Sequence, residues 1–343
     1  MSKQNITKMK RFLLFFIVAA SAAATVACDA LNSLTTARQA QSQGSPYELV
    51  IVCQPRQWDG EVGDTLRAIF TQPLPVLNQR EPLFDVLRVT NQTFTALARQ
   101  HRNILKIEID PAISTTAVAV QYDMTAAPQI VLTLQAPDDD AATAYLSEHR
   151  NELLHVLEMA ERDRSTAYAE KFHESFIESR IKERFGVDMR VPKGYDIRNE
   201  QEDFIWISYE YPTASQGFFV YSYPLTGSVK HALSLESLMT ARAKYAARIP
   251  GPSDGSYMIT AEIFEPEYRA FRLEGRLWVE LRGFWDVAND FMGGPFVSYS
   301  TVNTATNEVF TVDCYVYSPK NHKRNYLRGL EHLLYGIEFP GNE

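Results

Sequence analysis

The chain has 343 residues, 45% apolar and 22% charged, with a formal net charge of −8. That length and balance suit one large or two medium folded domains and exclude a disordered or membrane-embedded body. The acidity argues against nucleic acid as a partner, because an acidic surface repels phosphate backbones. Three cysteines cannot build a disulfide framework or, by themselves, a four-ligand zinc site.

The N-terminus reads as an address. Lys3, Lys8, Lys10 and Arg11 precede an apolar run over 12–24, FLLFFIVAASAAA. A helix needs about 20 residues to cross a bilayer core, so the run fits the hydrophobic region of a secretory signal. It leads into Thr25-Val26-Ala27-Cys28, the arrangement of a bacterial lipobox except for Thr25, where Leu is commoner. The expectation is a signal peptide over 1–27 and lipidation of Cys28. The thiol then takes diacylglycerol, and the amine freed by cleavage takes a palmitate-like acyl chain. About three acyl chains hold a protein far more firmly than one. An ordinary signal peptide cut elsewhere, or a short membrane anchor, is the alternative. Met9 is a second candidate start and changes nothing downstream. Without residues 1–27 the charge falls to about −12, because four cations and no acids leave. Residues 28–46 are polar and Gln/Ser-rich, as in a flexible tether.

Residues 47–140 read as a mixed α and β half. YELVIVC at 47–53 is β-branched and apolar, hence a buried strand. A short helix is expected over 64–70, and three prolines within 71–82 exclude regular structure there. Strands over 84–90 and 104–109 flank a short helix over 93–99, and 118–122 with 130–135 reads as a strand pair. Residues 141–185 contain neither proline nor glycine and carry apolar positions at helical spacing, with Gly186 as a C-cap. Forty-five helical residues would run about 68 Å. A bend is therefore expected, at Asp163-Arg164-Ser165, where the apolar stripe lapses.

The second half, 187–343, opens with strands at 204–211 and 218–223. A helix follows over 235–247, with Ser234 as its cap and Leu233 with Leu238 as a hydrophobic staple. Strands at 258–264 and 268–273 lead into a meander at 276–287, 296–302 and 309–318. An amphipathic helix over 322–335 closes the chain. Helices and strands mix without a βαβ rhythm, so the expected class is α+β. Mixed and antiparallel sheets lie in two halves joined by a long central helical segment, with a C-terminal antiparallel meander followed by a helix.

Most catalytic patterns fail on context. Glu152/His155 and Glu170/His173 have the Glu-x-x-His spacing of dimetal sites. They stand 18 residues apart on one helical pattern, about 27 Å if straight, so a solvated face is the better reading. Gly251-Pro252-Ser253-Asp254-Gly255 matches a nucleophile elbow formally, but a helix precedes it and a strand follows, the reverse of what the elbow needs. Other histidines, such as His101 and His231, read as surface groups. Cys53 and Cys314 fall in apolar strands, either as two buried thiols or as a disulfide joining the first and last strands. Lys320, Lys323 and Arg324, with His322, gather where the last helix begins and oppose its dipole. Neighbouring carboxylates or a bound anion would compensate. No metal or cofactor is expected.

The stretch GFWDVANDFMGGPFVSY, 283–299, is the first site candidate. Alternation puts Trp285 on a core face with Leu277, Val279 and Leu281, and Gly293-Gly294-Pro295 reads as the turn of a wide hairpin lying on the last helix. Asp286, Asn289 and Asp290 are grouped without a folding reason. Together with Trp285 they are the candidate ligand-binding residues.

The stretches SPYELVIV, HRNILKIEI, VPKGYDI, IPGPSDGSYM, LRGFWDVANDFMGGPFVSY and KRNYLRGLEHLLY give the chain a resemblance. It resembles the Bacteroidota lipoprotein family called domain of unknown function 4837, from about residue 45 to the C-terminus. The resemblance implies a lipid-anchored envelope protein and supplies no catalytic residues. The expected function is that of a non-enzymatic binding or accessory lipoprotein of the cell envelope, at the outer membrane. It meets the membrane through its lipid and an envelope protein or glycan through its body. The alternative is an envelope glycan hydrolase using Asp286 and Asp290, which requires both in a cleft about 5–10 Å apart. If they hold the hairpin's own amides, that alternative fails.

Overall fold

The computed structural model describes residues 39–340. The expected signal peptide, Cys28 and the expected tether up to residue 38 lie outside the described residues. Within the stretch read as tether, Ala40–Gln41 pairs in parallel with Ala126–Ala127.

Strand β1 (Glu48–Val52) is apolar on both faces because both are covered. Leu49 and Ile51 enter a large core, while Val50 and Val52 join Ile104 and Val131 in a small one. Helix α1 (Glu61–Phe70) crosses over to β2 (Asp85–Val89), and β3 (Asn103–Ile109), β4 (Ala117–Tyr122) and β5 (Ile130–Ala136) complete the sheet. Its order is β2-β1-β3-β5-β4, parallel except for the edge strand β4. Helices α2 (Asp139–Glu148) and α3 (Arg150–Lys171) join α1 over one face, burying Leu66, Leu146, Leu153 and Leu157 with Ile51 and Leu132.

The central helical segment is three helices, the third being α4 (Ser175–Phe185), and its breaks lie at His149 and Phe172–Glu174 rather than at Asp163. The second break is imposed from outside. Phe172 turns extended because 191–193 crosses it, with Lys193 N–H donating to Phe172 O at 2.9 Å and Glu174 N–H to Val191 O at 2.9 Å. No break occurs at 163–165 because the lapse in the apolar stripe is a buried polar anchor. Glu161, 2% exposed, accepts from Asn103 Nδ2 (2.7 Å) and pairs with Arg102 (2.7 Å) and Arg164 (3.0 Å). Burial pulls the Arg164 guanidinium down to about 10. Glu158 and Glu178, which have Arg162 and Lys182 four residues on, pair instead over longer range, Glu158 with Arg328 and Glu178 with Arg190.

The second sheet is antiparallel throughout. Its strands are β6 (Asp196–Gln201), β7 (Phe204–Glu210), β8 (Ser215–Pro224), β9 (Tyr257–Thr260), β10 (Glu267–Leu273), β11 (Arg276–Ala288), β12 (Gly294–Asn303) and β13 (Glu308–Tyr317). The order is β9-β11-β12-β13-β8-β7-β6, with β10 pairing the first half of β11 and β9 the second. Helix α5 (Leu235–Ala246) covers one face with Phe219, Leu281, Trp285 and Tyr315, its Ser234 cap and Leu233/Leu238 staple in place. The final helix α6 (Arg324–Glu331) and α4 cover the other face, with Trp278, Val297, Phe310 and Cys314. Trp285 therefore faces α5, while the opposite face of the hairpin, through Trp278 and Val297, lies on the last helix. The class is α+β, mixed and antiparallel, closing with a meander and a helix.

Candidate functional site

The hairpin over 283–299 is built differently from its sequence reading. Trp285 pairs with Gly294, so Gly294 and Pro295 stand in strand β12 and the loop is 289–293. The left-handed residue of that loop is Asn289, with φ +66°. The glycines are needed for space. A Cβ on Gly294 would sit 2.1 Å from Val316 O, and one on Gly293 2.8 Å from Trp285 O. That close approach lets the buried Trp285 indole donate to Val316 O at 3.2 Å.

The two carboxylates serve their own loop. Asp286 Oδ1 accepts from Val287 N–H at 2.8 Å, and Asp290 Oδ1 from Phe291 N–H at 2.6 Å. Asp290 Oδ2 also accepts from the Ser253 hydroxyl, which with the Phe291 amide holds the Asp290 carboxyl below its usual range. A carboxylate so held is a poor base, so the Ser253 contact makes no activated nucleophile. Both carboxylates hold the hairpin's own amides, the arrangement on which the hydrolase reading fails. The group tethers the 249–256 turn to the hairpin loop.

Beside that hairpin, four turns converge on an aromatic cleft of ≈ 490 Å³. Its floor is Trp206, Trp285, Tyr315 and Tyr317, and its rim carries Pro212, Pro250, Pro252 and Pro319 with Met292. The floor side chains are locked. Trp206 Nε1 donates to Tyr315 Oη at 2.7 Å, and the Trp285 and Tyr315 rings meet at 75° with centroids 5.6 Å apart. The sequence provides for this at Gly217, where a Cβ would lie 2.6 Å from Tyr315 Oη. Glu210 is a carboxylate of the lining, and it accepts from the Ser208 (2.7 Å) and Ser215 (2.9 Å) hydroxyls. Burial pushes the Tyr211 phenol up to about 12, so it remains a hydrogen-bond donor at neutral pH. An apolar concavity with a few placed polar groups and proline-stiffened walls is the usual form of a binding site. Of the candidate ligand-binding residues named from sequence only Trp285 lines it; Trp206 and Tyr315 lie on other strands and Tyr211 in the turn after β7, and no local pattern marks them.

The basic group before α6 is compensated from within. Glu81, 2% exposed, accepts from the backbone N–H of Lys323 (2.7 Å) and Arg324 (2.9 Å), acting as the helix cap from the other half of the chain. Arg324 pairs with Asp85 at 2.6 Å, and the Lys323 ammonium donates to Asn321 O at 3.0 Å. Lys323 and Arg324 are buried, and of the two expected forms of compensation the carboxylates hold: Glu81 and Asp85 occupy the place of a bound anion. Lys320 is exposed with φ +65°.

A second, smaller cavity of ≈ 120 Å³ lies between the halves and is lined by charge. Glu331 joins Arg282 (2.6 Å) to Arg328 (3.1 Å), Arg328 reaches Glu158 (2.6 Å), and Arg282 also holds Glu280 (2.9 Å). Burial raises the Glu331 carboxyl, but Arg282 and Arg328 outweigh it and bring it down to about 2. Burial lowers His332 to about 4, leaving it a neutral partner of the Tyr47 hydroxyl at 3.1 Å. The set reads as a fastening between halves.

The remaining candidates resolve simply. Cys53 and Cys314 are free buried thiols in two different cores, so they do not form the bridge. Glu152 and His155 are exposed, whereas His173 pairs with Glu178 at 3.0 Å. His101 is buried against Glu48 at 3.1 Å rather than at the surface.

Fold and site thus define an α+β protein of two sheet-based halves with an aromatic cleft at one end of the larger sheet. Residues 174–336 match the family model described as Domain of unknown function (DUF4837), and the resemblance to that family holds over this half. Residues 42–170 match a second, Domain of unknown function (DUF8532), which takes in the SPYELVIV and HRNILKIEI stretches. No curated protein matches the chain. The DUF4837 match contains every residue of the cleft lining.

Proposed function

We propose that the protein is a non-enzymatic binding lipoprotein of the cell envelope. Acyl chains on Cys28 hold it at the outer membrane, and the aromatic cleft takes a segment of an envelope partner. The lipobox-like Thr25-Val26-Ala27-Cys28 supports the anchor. The single observation that supports binding is the preformed cleft of Trp206, Trp285, Tyr211 and Tyr315 walled by prolines. A polypeptide fits this lining better than a glycan does, because a sugar presents a hydroxyl at most carbons and the lining offers few polar partners. Glu210 suits a lysine or arginine beside an apolar or proline-rich stretch. The hydrolase alternative finds no support in Asp286 and Asp290, which hold their own loop.

The test is a random peptide library and a glycan array probed with the purified protein. Enrichment of cationic, proline- or apolar-rich peptides, lost when exposed Thr213→Trp fills the cleft, is the expected result. Glycan binding that survives Thr213→Trp would count against the reading. The anchor is checked separately: Cys28→Ala should abolish acyl labelling and membrane retention.

A further inference from the structure

Residues 39–41 lie against the 123–127 turn that leads into β5 of the smaller sheet, and the surface around them is unusual. Gln39 donates through its side-chain amide to Asp123 O, and Ala40–Gln41 pairs with Ala126–Ala127. Tyr122 and Met124 flank that acceptor residue and are 64% and 54% exposed. Leu97, 65% exposed, sits on the turn of helix 96–99, whose Arg99 carbonyl takes the Thr125 hydroxyl and the Gln129 amide (2.7 Å). Leu97, Tyr122 and Met124 thus surround the point where residues 1–38 enter the fold, with the exposed Arg99 beside them. The adjoining edge strand β4, AVAVQY, has no charge and no proline along it, and among the described residues only β5 pairs with it. Soluble edges are ordinarily guarded by charge, proline or a cover.

Ten residues separate Cys28 from Gln39. Such a linker reaches at most about 40 Å fully extended, and about 18 Å as a random coil. We infer that the surface formed by Leu97, Tyr122 and Met124 around Gln39 rests on the lipid bilayer. The lipid anchor brings it there, and its apolar and aromatic tips enter the headgroup region. This inference rests on the lipidation proposed above. Tyrosine and apolar side chains favour that interface, and Arg99 can reach lipid phosphate. The body is then held on the membrane in a defined orientation.

The experiment is photo-labelling from phosphatidylcholine vesicles containing a diazirine-bearing phospholipid, with adducts mapped by mass spectrometry. One arm uses the cell-derived protein, and flotation with vesicles reports whether it is acylated. The other uses protein beginning at Cys28 and coupled there to a maleimide lipid, so the surface is tested whether or not the natural thiol is acylated. The expected result in the second arm is adducts concentrated in the peptides containing Leu97 and 117–127. Labelling at the exposed Ile263 and Phe291 of the other sheet should be at least fivefold lower. Tyr122→Glu with Met124→Glu should cut the adducts severalfold while flotation persists. Uniform labelling, or labelling concentrated at Ile263 and Phe291, overturns the inference. So does protection of 117–127 by a cross-linkable second copy paired along β4. Failure of flotation in the first arm alone overturns the lipidation reading and not the surface.

Discussion

Glu81→Ala is the sharpest perturbation of the joint between the two halves. Helix α6 begins at Lys323, which is already helical in its backbone angles and has no side-chain cap of its own. Its first amides are instead served by Glu81, whose two oxygens lie 2.7 and 2.9 Å from the Lys323 and Arg324 nitrogens. Hydrogen bonds to a charged acceptor contribute about 1.5–3 kcal/mol each. Favourable placement at a helix N-terminus adds up to about 2 kcal/mol. The amides left behind are buried and cannot recover water, while the retained Arg324–Asp85 pair limits the damage. The expected cost is about 3–4 kcal/mol, and with about 2–4 °C per kcal/mol in domains of roughly 150–250 residues Tm should fall by about 6–16 °C. Glu81→Gln keeps one good acceptor and should lose about half as much. Urea and thermal denaturation of both variants beside the exposed control Glu262→Ala measure the difference. A loss for Glu81→Ala within about 1 kcal/mol of that control would refute the capping argument.

Other variants probe the rest of the account. Arg242→Ala strands the fully buried Asp313, paired at 2.9 Å, and should cost about 3–5 kcal/mol. The double change Arg242→Met/Asp313→Leu should recover most of that in urea melts. Glu331 is held at about 2 in the fold against an ordinary 4.5. A depressed carboxylate stabilises above its unfolded value and loses that contribution as pH falls through the folded one. A component of about 3 kcal/mol should therefore disappear between roughly pH 4.5 and 2, and be absent in Glu331→Gln. Gly294→Ala places a methyl 2.1 Å from Val316 O and should cost about 2–4 kcal/mol with a shift in Trp285 emission.

Where the argument from sequence succeeds, the signal is local. The apolar alternation of 47–53, the prolines of 71–82 and the Ser234 cap all describe neighbours along the chain, and β1, the irregular segment and α5 follow them. It fails where a partner comes from elsewhere. The helix ends at Phe172 because Lys193 pairs with it, and it survives Asp163 because Glu161 is anchored by Asn103, 58 residues away. The cations before α6 leave neighbouring carboxylates and a bound anion both open until Glu81 is seen beneath them. The paired glycines suggest a turn, but their role is room, at Gly294 for the Val316 carbonyl and at Gly293 for the Trp285 carbonyl. The cleft is assembled from four turns, and of its floor only Trp285 stood in a stretch the sequence singled out. DUF4837 resemblance was legible in the second half, while the first half belongs to a different match.

The central claim is that the cleft holds a segment of an envelope polypeptide, and cross-linking in living cells tests it most directly. A photo-reactive residue replacing Met292, at the cleft wall, is irradiated in the full-length protein and the adduct is sequenced. One defined peptide segment carrying a lysine or arginine beside apolar or proline residues, lost when Thr213→Trp is added, is the result predicted here. Cross-linking that is diffuse, or unchanged by Thr213→Trp, contradicts the claim.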